Sequence, residues 1–559
     1  MAARRKSNHF LVQGSILAAA SLLVRIIGLL YRIPMIRIIE KEGMGLYANS
    51  FEIYSIALIL SSYSIPLVVS KLVAVRKVNK EYKNAYRIFL SAMALAVAIG
   101  LIATFVIYFG ADFIASFISK SPNSALPLRV LAPTIFVFAT MGVLRGFYQG
   151  MNTMIPTAVS QVLEQVVNAI VSVGAAYMFV KSYSASVHVA SYAAAGGTLG
   201  TFVGACIGFL FLLFVFVLYK PLLNKQMRND VTEYKESYKT IFKLLAITTA
   251  PIILSQTVFQ ISGLIDISLF GHIMATKEIT TFDLAVLENS LPGQLYTESF
   301  RNVLNGIYSG EYRLLTNVPV AIAAAMAAAI VTSITADKVR GMNEAIRNKV
   351  HAAIKFNMII AIPSAVGIGV LASPILLLLF KDTFSLSANF VRLSCISIVF
   401  YAFSTVTSAI LQGINKLRIP VINSAISLGI HIVLVFVLLT FTPLSTYSLV
   451  IGNVTFALVV SILNWISIEK YLNYHQEIIK TFVIPFVSAG LMGVAAYFTY
   501  WGLELWTKSN VIATLLAILV AIIVYLAFLI FLKGVDEEEL AFIPKGAAIV
   551  RILKKLHLL

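Results

Sequence analysis

The chain has 559 residues, of which 59% are hydrophobic and only 12% are charged, about half the charge of an ordinary soluble domain. This composition excludes a soluble globular protein and indicates one that lies in a membrane. The formal net charge of +18 does not indicate nucleic-acid binding, because the basic residues follow the connections between apolar runs. The two cysteines, Cys206 and Cys395, lie inside apolar runs and indicate neither a disulfide framework nor a metal site.

Long apolar runs recur along nearly the whole chain, and each can cross a hydrocarbon core of about 30 Å. Because lipid offers the backbone no hydrogen bonds and the runs are too long for barrel strands, they must be helices. We therefore predict an all-α polytopic membrane protein with 14 transmembrane helices. The 14 spans lie near 10–38, 47–72, 85–110, 126–150, 156–180, 186–219, 243–271, 312–336, 350–380, 387–412, 419–442, 446–468, 481–503 and 509–532.

Lysines and arginines in the connections set the predicted topology. With the N-terminus inside, the internal connections and termini hold about 30 of the 43 Lys and Arg, and the external ones hold about ten, as the positive-inside rule requires. We therefore expect both termini to be cytoplasmic. We expect the first apolar run to be retained as a helix rather than cleaved as a signal peptide.

Span 1 carries two arginines, Arg25 and Arg32, well inside its apolar run. Seven residues make two helical turns, so both side chains point to one face, about 10 Å apart along the axis. Gly28 lies between them. Charge is costly at this depth, and two guanidinium groups on one face suit a diphosphate. The alternative is a pair of snorkelling or ion-paired structural arginines.

Four further charged residues follow in the first six spans. Glu52 lies at a depth similar to that of Arg32, so we expect either a gate that an anionic ligand opens or a structural ion pair. Lys71 closes span 2 at the inner face and either contacts phosphate or only sets topology. In spans 4 and 5, Arg145 and Glu164 lie at similar depth and are expected to form a structural salt bridge.

The second half of the chain places a carboxylate where the first half places cations. Asp266 lies in span 7, the first span of the second half, which corresponds by span order to span 1 with its Tyr31–Arg32. We expect it either to bind Na⁺ or a proton, together with Asn423 and Asn453, or to be a hydrogen-bonded buried acid. Arg313, at the outer start of span 8, faces either a cavity or the lipid headgroups.

The internal repeat has an offset of about 263 residues. Arg129 precedes Gln149-Gly150 by the same spacing that separates Arg392 from Gln412-Gly413. A duplicated helix bundle is typical of secondary transporters, with the substrate site between the halves. The predicted division is an N-lobe at 1–219 (spans 1–6), a cytoplasmic linker at 220–242, a C-lobe at 243–469 (spans 7–12), and spans 13–14 with a cytoplasmic tail at 470–559.

Spans 13 and 14 have no partner in the repeat. They are an addition to the six-plus-six core, and we expect them either to wall a groove or to dock a partner protein. We expect the small residues of span 13 to form either a close-packing or a groove-forming face; they are Ser488, Ala489, Gly490 and Gly493, with Ala495 and Ala496. The chain has no Walker A loop, HExxH or CxxC motif, so we predict neither an enzyme nor a cofactor.

The 14 spans, the two predicted six-helix lobes and the span 1 run VRIIGLLYRIP (24–34) resemble the lipid II flippases of the MurJ type. This family shares a superfamily with drug/cation antiporters and polysaccharide flippases. The run GIYSGEYRLLTNVP (306–319) resembles span 8 of the Gram-positive branch called YtgP or SpoVB-like. The resemblance covers essentially the whole chain.

The resemblance implies a V-shaped cavity that opens inward and outward by alternating access, with basic residues in the first lobe. The family's two span 1 arginines match Arg25 and Arg32, its span 2 arginine falls near Ser70 or Lys71, and its span 8 arginine falls near Arg313. It also implies a groove for an undecaprenyl tail beside spans 13 and 14.

The function implied is export of lipid II, an undecaprenyl-diphosphate-linked peptidoglycan precursor, across a bacterial plasma membrane in cell-wall biogenesis and the maintenance of cell shape. The expected partners are lipid II or a related glycolipid, membrane lipids and cell-wall synthesis proteins, and the expected state is a monomer. Alternatives are a flippase for another polyprenyl-linked polysaccharide, a multidrug/cation antiporter, and a non-transporting scaffold. The arginine pair and the two additional spans argue against the antiporter.

Overall fold

The computed structural model describes residues 16–17, 19–230, 232, 234–280, 283 and 293–535. The charged termini used in the topology argument lie outside these residues. The described part is helical and contains no strand. Its α-helices, in chain order, are α1 (Ala19–Leu30), α2 (Arg32–Leu58), α3 (Ile65–Val78), α4 (Tyr82–Ile118), α5 (Ala125–Gly150), α6 (Ile155–Ser182), α7 (Val189–Arg228), α8 (Tyr238–Met274), α9 (Glu298–Gly306), α10 (Arg313–Val339), α11 (Asn343–Val370), α12 (Ala372–Phe380), α13 (Ser385–Gly413), α14 (Arg418–Phe441), α15 (Tyr447–Leu472), α16 (Ile484–Thr507) and α17 (Asn510–Phe531).

The helices account for the predicted spans. Within the described residues, 12 helices are long and apolar enough to cross a membrane. The shorter apolar helix α1 and helix α10 correspond to the remaining predicted spans, 1 and 8. The prediction of an all-α polytopic membrane protein is therefore confirmed.

Two details differ from the predicted spans. Spans 1 and 2 are not separated by a loop, because α2 runs through both with a kink at Glu40, whose φ is 60°. Span 9 is two helices, α11 and α12, which meet at Leu371. Glutamate rarely adopts a positive φ, so nothing in the sequence around Glu40 indicated the kink.

The internal repeat has a matching local structure in its two copies. Helices α5 and α13 end at Gly150 and Gly413, and the turns that follow hold Asn152 at φ 55° and Asn415 at φ 66°. Asparagine is one of the few residues with a side chain that tolerates this left-handed conformation. Each turn therefore ends one helix and starts the next, α6 or α14, at the same point of the repeat.

Contacts between residues divide the described chain into two compact units. Unit 1 comprises Met1–Glu278 with Leu295–Gly310, and unit 2 comprises Ile279–Gln294 with Glu311–Leu559. Helices α8 and α9 therefore belong to unit 1. The lobe boundary at 220–242, drawn from the repeat, stays a prediction.

Within unit 1, helices α6 and α7 pack closely through glycines spaced four residues apart. A Cβ atom on Gly200 would lie 2.5 Å from the Asn168 carbonyl oxygen, and one on Gly204 would lie 2.5 Å from that of Glu164. Such distances allow only glycine, which lets the two backbones meet as in other small-residue membrane contacts. This packing fixes the rotation of α6 about its axis.

The segment between α7 and α8 is bound to the C-terminal end of α3 and the N-terminal end of α4. Arg76 donates two hydrogen bonds to the Glu236 carboxylate, at 2.9 and 3.1 Å. The Lys83 backbone N–H donates to Asp230 at 2.7 Å, and the guanidinium group of Arg87 lies 4.5 Å from the ring centre of Tyr238. The start of α8 is thus fixed to unit 1. We call this set of contacts the strap.

Candidate substrate site in unit 1

The two arginines of span 1 lie on one continuous helical path. Tyr31 joins α1 to α2 with helical dihedral angles, and its N–H donates to the Ile27 carbonyl oxygen at 3.1 Å. The helical spacing from Arg25 to Arg32 is therefore unbroken, and both side chains point to the same face. Arg25 is exposed and Arg32 is half-buried.

Helix α6 lies against this face. The Nε2 atom of Gln165 is 3.2 Å from the position that a Cβ atom on Gly28 would occupy. Its neighbour Glu164 forms an ion pair with Arg145 of α5, with Nη2 and Oε2 2.7 Å apart. The Arg145 Nε atom also donates to Ser160 at 3.1 Å. On α6, the ion-paired Glu164 and the neutral Gln165 are therefore adjacent residues.

Aromatic side chains of α2 continue the site away from Arg32. Tyr47 interacts with Tyr31 and Arg32 through their side chains. It stacks on Phe51 with ring centres 5.7 Å apart, and Phe51 lies 5.6 Å from Tyr54. Tyr47 and Tyr54 are fully buried, so these rings belong to the packed interior of unit 1.

Two acidic side chains are buried further along unit 1. The Glu52 carboxylate lies against Gly263 of α8, where a Cβ atom would be 2.5 Å from Oε2. Asp266 follows one turn later on α8 and is 4% exposed. The structure thus places Asp266 in the same unit as Arg25 and Arg32, whereas the repeat assigned it to the second lobe.

The two asparagines expected to assist Asp266 lie in unit 2 and bind protein groups there. Asn423 donates to the side-chain oxygen of Asn464 at 2.9 Å, and Asn453 accepts from the Tyr401 hydroxyl. These hydrogen bonds join α13, α14 and α15. An ion site formed by Asp266, Asn423 and Asn453 remains a prediction.

The two remaining predicted cations lie in different settings, Lys71 in the middle of α3 and Arg313 at the start of α10. Lys71 is exposed on α3. Arg313 is half-buried and is the first residue of α10, after the π-helical segment Ile307–Tyr312. Glu311, in that segment, is 2% exposed. We did not single out this acid from the sequence, although a carboxylate at the start of an apolar run is a usable signal.

A buried amide cluster joins α2 to α9 and was also missed. Asn49 donates to Asn302 at 3.2 Å and accepts from Asn305 at 2.8 Å, and Ser121 donates to Asn302 at 2.9 Å. A side chain on Gly45 would overlap the Asn302 carbonyl group. The three-residue spacing of Asn302 and Asn305 was the available signal.

Unit 2 contains an apolar cavity beside the last two helices. It has a volume of about 590 Å³ and is lined by α10, α11, α12, α16 and α17. Met492 is its wall residue from α16. The small residues expected to form the groove do not line it: a Cβ atom on Gly490 would meet nothing within 4 Å, and one on Gly493 would lie 2.9 Å from Val366. Gly493 thus packs closely on α11, which agrees with the close-packing alternative, and a groove formed by these residues stays a prediction.

Together, these features define a multi-pass membrane protein of the flippase and transporter class: a duplicated helix bundle with a cationic helix face in one unit and an apolar cavity in the other. Residues 11–336 match the family model described as polysaccharide biosynthesis protein, and residues 313–437 match the model described as MatE. Because the first match covers more than half of the chain, the protein belongs to the polysaccharide biosynthesis protein family.

Relatives and a solved structure agree with this assignment. The chain is 25% identical over 503 residues to the lipid II flippase MurJ of Bacillus subtilis (strain 168), covering 87% of each chain. It is 24% identical over 548 residues to the stage V sporulation protein B of the same organism, covering 97% of this chain and 99% of the relative. Its fold is similar to that of a lipid II flippase MurJ in an inward closed conformation, with a TM-score of 0.63, 16% identity, and coverage of 92% of this chain and 97% of that chain. These similarities confirm the prediction of a transporter rather than an enzyme.

Proposed function

We propose that the protein flips lipid II, an undecaprenyl-diphosphate-linked peptidoglycan precursor, from the inner to the outer leaflet by alternating access. The observation that supports this most strongly is the unbroken helical path that puts Arg25 and Arg32 on one face. Guanidinium groups bind phosphate oxygens in pairs, and the spacing of about 10 Å lets the two side chains converge on a diphosphate. The lipid II flippase at 25% identity supports the same substrate.

The unit 2 cavity supports a lipid-linked substrate. Its volume of about 590 Å³ lies within the range of ligand pockets, and its lining is apolar. A polyprenyl tail prefers such surroundings by about 0.8 kcal/mol per CH₂ over water. We propose that part of the tail occupies this cavity.

The proposed driving force is an ion gradient or the membrane potential. Asp266 is a buried carboxylate on α8, and we propose that it takes up Na⁺ or a proton during transport. The variant Asp266→Asn should make flipping less responsive to an imposed gradient than it is in the parent protein. The same gradient response in both proteins would show that Asp266 has no part in coupling.

The function is tested by complementation in cells depleted of their lipid II flippase, with an assay of lipid II exposed on the outer leaflet. The parent protein should restore growth and exposure. Arg25→Ala and Arg32→Ala should each lose flipping by about tenfold to a hundredfold, because each removes a charge-assisted contact worth about 1.5–3 kcal/mol. Lysine replacements should restore it only partly, since an ammonium group cannot form a paired contact.

The matched control is Arg392→Ala, an exposed arginine on α13 that hydrogen-bonds to Asn389 and Ser373. It should retain flipping at equal membrane abundance. Full activity of both the Arg25 and Arg32 alanine variants would contradict the proposal. The second candidate is a multidrug antiporter, favoured by the MatE match at 313–437; drug efflux without any lipid II exposure would establish it instead.

A further inference from the structure

The face of α6 that meets α1 carries two glutamines, Gln161 and Gln165. They are four residues apart and thus share one side of the helix. The Gln165 carboxamide lies against Gly28, with Nε2 3.2 Å from the position of an added Cβ atom. Because Gly28 lies between Arg25 and Arg32 on the same face, the Gln165 amide is within about one helical turn of both arginines.

The neighbouring ion pair between Arg145 and Glu164 is formed without a contact from either glutamine. Arg145 is bound by Glu164 at 2.7 Å and by Ser160 at 3.1 Å. The Gln161 Oε1 atom is buried and has no hydrogen-bond partner within the part of the chain that the structure describes. A buried amide oxygen without a partner is unfavourable, so a ligand that donates a hydrogen bond to it would gain from binding there.

The chemistry of a carboxamide differs from that of the arginines in a useful way. Guanidinium groups only donate, whereas glutamine both donates and accepts. Sugar hydroxyl and acetamido groups require both, and phosphate oxygens do not. A neutral amide beside a cation pair is therefore suited to the first sugar that is joined to a diphosphate.

We propose that Gln165, assisted by Gln161, is the specificity-determining residue for the sugar attached directly to the diphosphate. This inference rests on the proposed function, because it assumes that Arg25 and Arg32 hold the diphosphate. Gln165 recognises the acetamido and hydroxyl groups of that sugar, and the arginines recognise the diphosphate of any polyprenyl carrier.

The test measures binding by the full-length purified protein to two probes. One is undecaprenyl diphosphate without a sugar, and the other is the same lipid carrying one acetamido sugar. The variant Gln165→Met keeps the side-chain length and removes the amide. Its affinity for the glycosylated lipid should fall about tenfold, and its affinity for undecaprenyl diphosphate should not change. Gln165→Asn should recover part of the loss.

Two further variants complete the design. Arg32→Ala should weaken binding of both probes, and Gln412→Met, at an exposed glutamine of α13, should weaken neither. Unchanged binding of undecaprenyl diphosphate to Gln165→Met also shows that this variant is folded. An equal loss for both probes, or no loss for either, would overturn the role of Gln165. A parent protein that binds neither probe would instead overturn the proposed function, and this inference with it.

Discussion

The ion pair between Arg145 and Glu164 gives a prediction whose size follows from its burial. The two side chains are 11% and 19% exposed, and their atoms approach to 2.7 Å. Removal of one partner of a buried pair leaves the other charge without compensation and costs about 3–5 kcal/mol. Arg145→Met and Glu164→Leu should therefore each strongly destabilise the protein. The double variant should recover much of the loss, because apolar residues of similar volume often replace a buried pair without penalty.

The assay is the rate of thermal unfolding in detergent at one fixed temperature, measured for the parent, both single variants and the double variant. A double-mutant cycle then isolates the coupling between the two side chains. We expect a coupling of at least about 2 kcal/mol, which corresponds to a rate ratio of roughly 30-fold.

The matched control is the pair formed by Arg129 and Asp112 in the same unit. Its side chains are 37% and 67% exposed, and exposed pairs contribute only about 0–1 kcal/mol. The cycle at this pair should therefore give a small coupling. If both cycles give the same small value, the Arg145–Glu164 pair does not stabilise unit 1, and its structural role is refuted.

Three further predictions concern packing, the tail cavity and the strap. Gly204→Val should prevent recovery of monodisperse protein, because its Cβ atom would lie 2.5 Å from a carbonyl oxygen of α6. The control variant Gly174→Val should be tolerated, because its Cβ atom would have no neighbouring atom within 4 Å. Gly367 lines the unit 2 cavity, so Gly367→Phe should fill it and slow flipping of full-length lipid II more than flipping of a short-tailed analogue. The control variant Gly490→Phe should slow the flipping of neither substrate. Equal slowing of both substrates by Gly367→Phe would exclude a tail site. Burial alone would raise the pKa of Asp230, but hydrogen bonds from Lys83 and Thr232 hold it below its ordinary value of 3.8. The ionised Asp230 carboxylate should therefore contribute its full stabilisation above pH 3.8, and this contribution should be lost as the pH falls below that value. The difference in melting temperature between the parent and Asp230→Asn should stay constant from pH 8 to about 5 and shrink below about 4.

Much of the fold followed from the sequence because span length and hydropathy are local properties. An apolar run long enough to cross a bilayer must be helical, and the repeat of Arg129 and Arg392 marked equivalent helices. The kink at Glu40 was not predictable, since a positive φ of 60° at a glutamate has no local signal. The grouping of α8 with unit 1 rests on contacts between residues far apart in the chain, among them the strap contacts, which join residues about 150 positions apart, and the contact between Gly263 and Glu52.

The candidate site was predictable only as far as charge marks it. Arg25 and Arg32 stand out because a charge in an apolar span is costly. Gln165 carries no charge, and its importance depends on which residue of α1 it meets. Small residues mark close helix packing as readily as they mark empty space, so the sequence left both alternatives open for span 13. In the structure Gly493 packs on Val366, and Met492 is the residue of α16 that lines the cavity.

Glycines on one helix decide where polar groups of another helix can lie in unit 1. Gly28 faces the Gln165 amide, Gly263 faces the Glu52 carboxylate, and Gly204 faces the backbone of α6 at Glu164. In each case a side chain would occupy the space that the polar group now fills. A polar group in an apolar span must find such a space or be left buried without partners, at a cost of several kcal/mol. A charged or amide residue in one span therefore helps to predict helix packing when it is considered with a glycine in another span, because the glycine shows where the polar group can be placed.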